Sequence, residues 1–238
     1  MKNLLLILAS LFSLHLKAQS DTVLSDYEFT LTGIYNSVND MSRTTLTMSA
    51  KNSIKWKKFE SMVSTDYQLV SDDNINSVND FTVRLQPRIV DKNYSVFSFG
   101  QLSSLESKKI SQRFEGGVGG GKNFFNRDEF KLNFSYALLF YNNNFQDLTN
   151  RNGLRHSPRI VISGDLKKYN LNYLLETYYQ PSTADMNDYI LKSKFATGFK
   201  ISEKFSITLN YATWFESYFV VGARNDVKTL TIGTTFKI

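Results

Sequence analysis

The stretch GGVGGGKN, Gly116 to Asn123, has the G-x-x-x-x-G-K outline of a phosphate-binding loop. Such a loop works where it leaves a strand and opens a helix, so that backbone N–H groups and the helix dipole converge on the phosphates. Here it runs through Phe124 and Phe125 into a turn at 126–128 and then into another long alternating segment. Asn123 stands where a magnesium-binding Ser or Thr belongs. The stretch therefore reads as a strand whose glycines permit sharp coiling and leave room for bulky neighbours. His156 and Ser157 form a second pair with chemical potential. Adjacent residues on a strand point to opposite faces, so His156 cannot serve as the base for Ser157. DDNIN, 72–76, alternates oxygen ligands like a calcium loop, but lacks the glycine at the sixth place and the glutamate at the twelfth. It reads as a solvated external loop. With no cysteine there is no disulfide, thiolate metal site or lipid anchor. No catalytic residue, metal site or cofactor is expected.

The elements that carry these residues share one pattern. In FKLNFSYALLFY, 130–141, Phe130, Leu132, Phe134, Tyr136, Leu138 and Phe140 alternate with Lys131, Asn133, Ser135 and Ala137. That is a strand with one apolar and one wet face. KTLTIGTTFKI, FSITLNYATWF, FTVRLQPRI and YNLNYLLETYY repeat it. These segments commonly reach ten or more residues, whereas soluble strands usually have about five or six and tilted membrane strands about 9–11. Aromatic residues gather near the segment ends, among them Tyr27, Trp56, Tyr94, Phe124, Tyr141, Trp214 and Tyr218, as at a membrane–water boundary.

After a first strand at about 26–35, six longer connections interleave with five tight turns. The long ones include NSVNDMS, ESKKISQ and NNNFQDLTNRNG; the tight ones include DKN and KKYN. The pattern predicts an all-β fold: a closed antiparallel transmembrane β-barrel of about twelve strands, both termini on the periplasmic, short-turn side. The motif NSVND, at 36–40 and 76–80, falls in long connections both times.

Met1–Ser20 has a basic start, an apolar run from Leu4 to Leu16 and a small residue, Ala18, before the expected cut. This is a signal peptide over 1–18. A short periplasmic segment follows at 19–25, and the barrel occupies 26–238. The chain carries 28 Lys and Arg against 22 Asp and Glu. Losing Lys2 and Lys17 with the leader reduces an excess already too mild and too evenly mixed for nucleic acid.

If the apolar set faces lipid, Arg84, Arg88, Arg113, Glu115, Arg155, Arg159, Glu176, Lys192 and Lys194 face the lumen, with Glu60 and Asp66 on the other wall. Such a lumen is either a salt-bridged plug or a narrow pore weakly selective for anions. The alternatives are a lipid-modifying hydrolase and a soluble periplasmic β-sandwich.

The succession VRLQPRIVDKNYSVFSFGQLSSLESKKISQRFEGGVGGGKNFF, 83–125, resembles the uncharacterised salt-induced outer-membrane protein family. The likeness lies in the order of glycines and aromatics and is strongest over about 28–145. It implies a barrel in the cell outer membrane, and it supplies no activity and no functional residues. The terminal strand resembles the signal read by the barrel-assembly machinery, although it ends in Ile238 with Phe236 two residues earlier. The expected partners are outer-membrane lipid and that machinery, with no nucleic acid or nucleotide; the oligomeric state is open.

Overall fold

A computed structural model describes residues 24–38, 41–72, 78–218 and 226–237. The leader at 1–18 and most of the acidic loop at 72–76 lie outside the described residues. Twelve strands follow one another: β1 (Leu24–Val38), β2 (Met41–Trp56), β3 (Phe59–Asp72), β4 (Val78–Asp91), β5 (Tyr94–Leu105), β6 (Ile110–Arg127), β7 (Phe130–Phe145), β8 (Asn150–Leu166), β9 (Leu171–Pro181), β10 (Tyr189–Lys200), β11 (Phe205–Glu216) and β12 (Asp226–Lys237). Each pairs antiparallel with its neighbours in sequence, and β12 returns to β1 from Glu28↔Lys237 to Gly33↔Ile232. The sheet is closed, so no strand edge is left to pair with lipid or with another chain. Closure also excludes the β-sandwich.

The period-two pattern sets the facing. On β7, Phe134, Tyr136, Leu138 and Phe140 are exposed outward, while Ser135, Ala137, Leu139 and Tyr141 are buried within. On β12, Leu230, Ile232 and Phe236 point out, and Thr231 and Thr235 are buried. Val96 and Val118 are 67% and 65% exposed on the same outer surface. An apolar belt of this extent is unfavourable in water and matched to hydrocarbon. A closed barrel with an apolar exterior and a charged interior is the architecture that satisfies a bilayer.

Two-residue turns join β2–β3 at Lys57–Lys58, β4–β5 at Lys92–Asn93 and β6–β7 at Asp128–Glu129. Lys57 and Lys92 take a left-handed φ of 52°. The opposite end departs from the sequence expectation, because strands consume much of the expected loops. β1 runs to Val38 and β2 starts at Met41, so NSVNDMS is largely strand. ESKKISQ contracts to a 3-10 turn at Glu106–Lys108 followed by β6. In NNNFQDLTNRNG the ladder continues through Asn142↔Asn152 and Asn144↔Asn150. Asparagine is a poor strand former, but here Asn150 Nδ2 donates to Asn142 Oδ1 at 3.0 Å and to Asn144 Oδ1 at 2.5 Å. These amides follow directly on Phe140 along the outer face, so the wall continues past the apolar belt as a polar collar.

On β6, Gly117, Gly119 and Gly121 face inward, and rings from β5 lie over two of them. A Cβ on Gly117 would sit 3.0 Å from Phe99 Cε1, and one on Gly119 would sit 2.8 Å from Phe97 Cζ. Register shifts between Ile110 and Gln112 and between Asn123 and Phe125 flank the stretch. The glycines serve close packing inside the wall, and no helix follows them.

Candidate functional site

Among the described residues, charged side chains from many strands converge in the lumen, and alternation on each strand brings them there. It has three tiers. At the end of the longer connections, Arg113 of β6 is 1% exposed. Its Nη1 and Nη2 donate to the two carboxylate oxygens of Glu216, at 3.0 and 3.2 Å, and its Nε donates to Asn143 Oδ1 at 2.8 Å. Lys108 Nζ lies 3.6 Å from Glu216 and sits over the Trp214 ring. Burial pushes the Lys108 ammonium below its ordinary pKa, with Glu216 opposing. Leu105, Ile110 and Phe145 form a buried apolar cluster against Trp214. Beside it, Arg155 Nη2 donates to Asp188 Oδ1 at 2.9 Å, and its Nη1 donates to the backbone oxygens of Gln180 and Asp188. Arg151 binds the other Asp188 oxygen at 2.5 Å.

The middle tier surrounds a chamber of about 240 Å³ lined by Asp66, Arg84, Glu115, Arg159 and Lys192 together with Phe97, Phe99, Tyr178 and Trp214. Glu115 accepts from Gln101 Nε2 at 3.1 Å, and Asp66 accepts from Ser49 Oγ at 2.7 Å. The Arg84 guanidinium lies over Phe99 at 4.9 Å, and Lys192 Nζ over Trp214 at 4.2 Å.

The third tier opens toward the short turns as a cavity of about 520 Å³. Arg88 pairs with Glu60 there. Arg159 Nε donates to Glu176 Oε1 at 2.5 Å, and Tyr178 Oη donates to the same oxygen at 2.6 Å. Lys194 stands directly across the ladder from Glu176.

The structure thus distributes the nine charges singled out in the sequence. Arg113 and Arg155 anchor the sealed tier, Arg84, Glu115 and Lys192 surround the chamber, and Arg88, Arg159, Glu176 and Lys194 belong to the open tier. Their partners Glu216, Asp188 and Lys108 escaped sequence reading. Glu216 was legible, since Asn210, Trp214 and Glu216 share one parity at the end of β11. Asp188 and Lys108 lie in connections with no period to follow. Two aromatics assigned to the membrane boundary belong inside: Tyr141 is 3% exposed under Arg155, and Trp214 faces the chamber.

His156 lies within β8 on the outer face, and its Nδ1 is hydrogen-bonded to the Tyr136 hydroxyl. Ser157 is buried on the opposite face and accepts from Gln180 Nε2 at 3.1 Å. The two do not meet. Among the described residues no cluster of three or more His, Asp or Glu side chains could hold a metal ion.

Solved structures share this architecture. The NanC porin is 12% identical, with a TM-score of 0.59, over 89% of this chain and all of its own. The KdgM porin in complex with disordered oligogalacturonate is 11% identical, with a TM-score of 0.50, over 88% of this chain and 98% of its own. The COG4313 outer membrane channel from Pseudomonas putida F1 is 8% identical, with a TM-score of 0.51, over 91% of this chain and 94% of its own. At these identities the likeness is one of fold. Together with the apolar belt and charged lumen it makes this chain an outer-membrane β-barrel. No curated protein matches it. Residues 30–237 match the family model described as "Protein of unknown function, DUF481", and the chain belongs to that family.

Proposed function

We propose that the protein is a narrow outer-membrane pore of small conductance, constricted by its buried ion-pair tier and weakly selective for anions. One observation carries the reading: the lumenal cavities lie in series. Gln86 and Arg159 line both the open cavity of about 520 Å³ and the chamber of about 240 Å³. Asp66, Thr82 and Trp214 line both the chamber and a further cavity of about 200 Å³ beside Lys108. A polar route bordered by Arg84 and Arg88 therefore reaches the sealed tier from the short-turn end. Charges beside a narrow, low-dielectric constriction act on a passing ion far more strongly than charges on an open surface. The competing reading, an inert envelope barrel, draws on the same Arg113–Glu216 seal.

Conductance of the purified chain in planar bilayers separates the two. Small anion-preferring currents are expected, with the preference lost in Arg84→Gln/Arg88→Gln. Reproducible cation selectivity contradicts the reading, and absence of current in both the wild type and a variant lacking the seal supports the inert barrel. Phospholipid hydrolysis abolished by His156→Ala would overturn the non-enzymatic reading. The proposal carries two partners, lipid around the belt and the assembly machinery acting on β12. The salt-induced label of the sequence resemblance names the first condition under which to measure expression.

A further inference from the structure

The middle chamber holds more unmet hydrogen-bonding capacity than any other part of the described lumen. Buried side-chain atoms without a partner include Arg84 Nε, Ser135 Oγ, Gln180 Oε1 and Trp214 Nε1, and all four residues line this one cavity. Ser135 is 3% exposed and Gln180 6%. Buried polar atoms are normally satisfied, and each orphan costs about 1–3 kcal/mol. Four around a single space of about 240 Å³ point to something that enters it.

The sign of the demand follows from the partners. Glu115 and Asp66 each accept a hydrogen bond from the protein. Two cations of the chamber have no such direct bond. Arg84 and Lys192 lie over the faces of Phe99 and Trp214, and neither has a direct ion pair or hydrogen bond with a described residue, although Glu115 attracts both across the chamber. Adding the indole N–H of Trp214 and the hydroxyl of Ser135, the unmet groups are mainly donors, which call for an acceptor bearing negative charge. Gln180 Oε1 is the remaining acceptor, suited to a hydroxyl. The rest of the wall is apolar, with Phe97, Phe99 and Leu139 beside the indole. The space exceeds the roughly 30 Å³ share of one water several times over, and is larger than an inorganic anion requires.

We infer that the chamber is a binding site for a small hydroxylated carboxylate: carboxylate on Arg84 and Lys192, hydroxyl on Gln180 and Ser135, apolar face on Phe97 and Leu139 beside the indole. The inference rests on the pore reading for the route by which the solute arrives, and binding is measured independently of current. The experiment uses the full chain in detergent with Trp56→Phe, which leaves Trp214 as the sole tryptophan. Glucuronate, glucose and inorganic phosphate are titrated separately, following Trp214 fluorescence and, in parallel, heat by calorimetry. Saturable binding of glucuronate is expected, with glucose at least about tenfold weaker and Arg84→Gln or Lys192→Gln each weakening glucuronate about tenfold or more. Heat-modifiable gel migration verifies that each variant is folded, and Lys131→Gln, at a lumenal position away from the chamber, serves as the neutral control. Equal binding of glucose shows that charge is not read and overturns the inference. Phosphate binding as tight as glucuronate overturns the hydroxylated-carboxylate assignment, and silence by both methods overturns the site. Binding without conductance removes the pore and keeps the site; conductance without binding does the reverse.

Discussion

Replacing Gly119 by alanine tests how the barrel wall is built. The added Cβ would lie 2.3 Å from the backbone oxygen of Tyr136, 2.8 Å from Ala137 Cβ and 2.8 Å from Phe97 Cζ. Phe97 can rotate away into the lumen, but the Tyr136 carbonyl cannot. It belongs to the β6–β7 ladder, where Gly119 stands opposite Ala137 and Gly120 opposite Tyr136. Relief requires the two strands to part locally, at the cost of overpacking and of ladder hydrogen bonds. Overpacking alone costs about 1–3 kcal/mol, and each lost hydrogen bond adds about 1 kcal/mol. A loss of about 3 kcal/mol follows. Gly120 is the internal control, since a Cβ there meets only Ser95 O at 3.5 Å, an ordinary contact. Gly120→Ala is expected to be neutral or to stabilise by up to about 1 kcal/mol through the unfolded chain. Urea unfolding in detergent micelles, followed by tryptophan fluorescence, measures both. Equal stabilities for the two variants would refute close packing as the reason for the inner glycines.

Leu138→Arg, on the lipid face, is expected to cost about 2–4 kcal/mol near the bilayer midplane and to reduce insertion. Asn133→Arg, at a lumenal position, is expected to insert normally, and equal insertion yields in an assembly assay would contradict the facing. Glu216→Gln leaves the buried Arg113 facing amide oxygens in place of its charge partner and is expected to destabilise by about 3–5 kcal/mol. Thermal unfolding checks the loss, and a variant as stable as the wild type would show that the seal does not depend on the pair. At the turns, a hydrogen bond from Lys167 holds the Asp128 carboxyl below its ordinary value of 3.8. A carboxylate depressed in the folded state contributes at pH values above its unfolded pKa, and the contribution disappears as pH falls through the folded value. An NMR titration is expected to show a higher Asp128 midpoint in Lys167→Ala than in the wild type; identical midpoints would refute the contact.

The sequence by itself determined the facing of the wall. Phe134, Tyr136, Leu138 and Phe140 alternate with Ser135 and Ala137, and a strand leaves such residues no choice of side. Long alternating segments without helical period then require closure, because a bilayer does not tolerate an open edge. The inward position of Arg84, Arg113, Glu115 and Lys192 follows from the same local parity. What parity cannot carry is the distance across the lumen. Arg113 meets Glu216, 103 positions away, because strand tilt and register stagger set which heights face each other in a closed barrel. That stagger is a property of twelve strands together. It also drew Trp214 and Tyr141 inside, where cations cover their rings, although by residue type they suited the membrane boundary. Cross-strand amide bonds among Asn142, Asn144 and Asn150 likewise extended the wall into a segment that reads locally as loop. The chamber depends on all of these: single strands supply its residues, but only the assembled barrel sets Arg84 and Lys192 over aromatic faces while pairing Arg113, Arg155 and Arg159 directly with carboxylates.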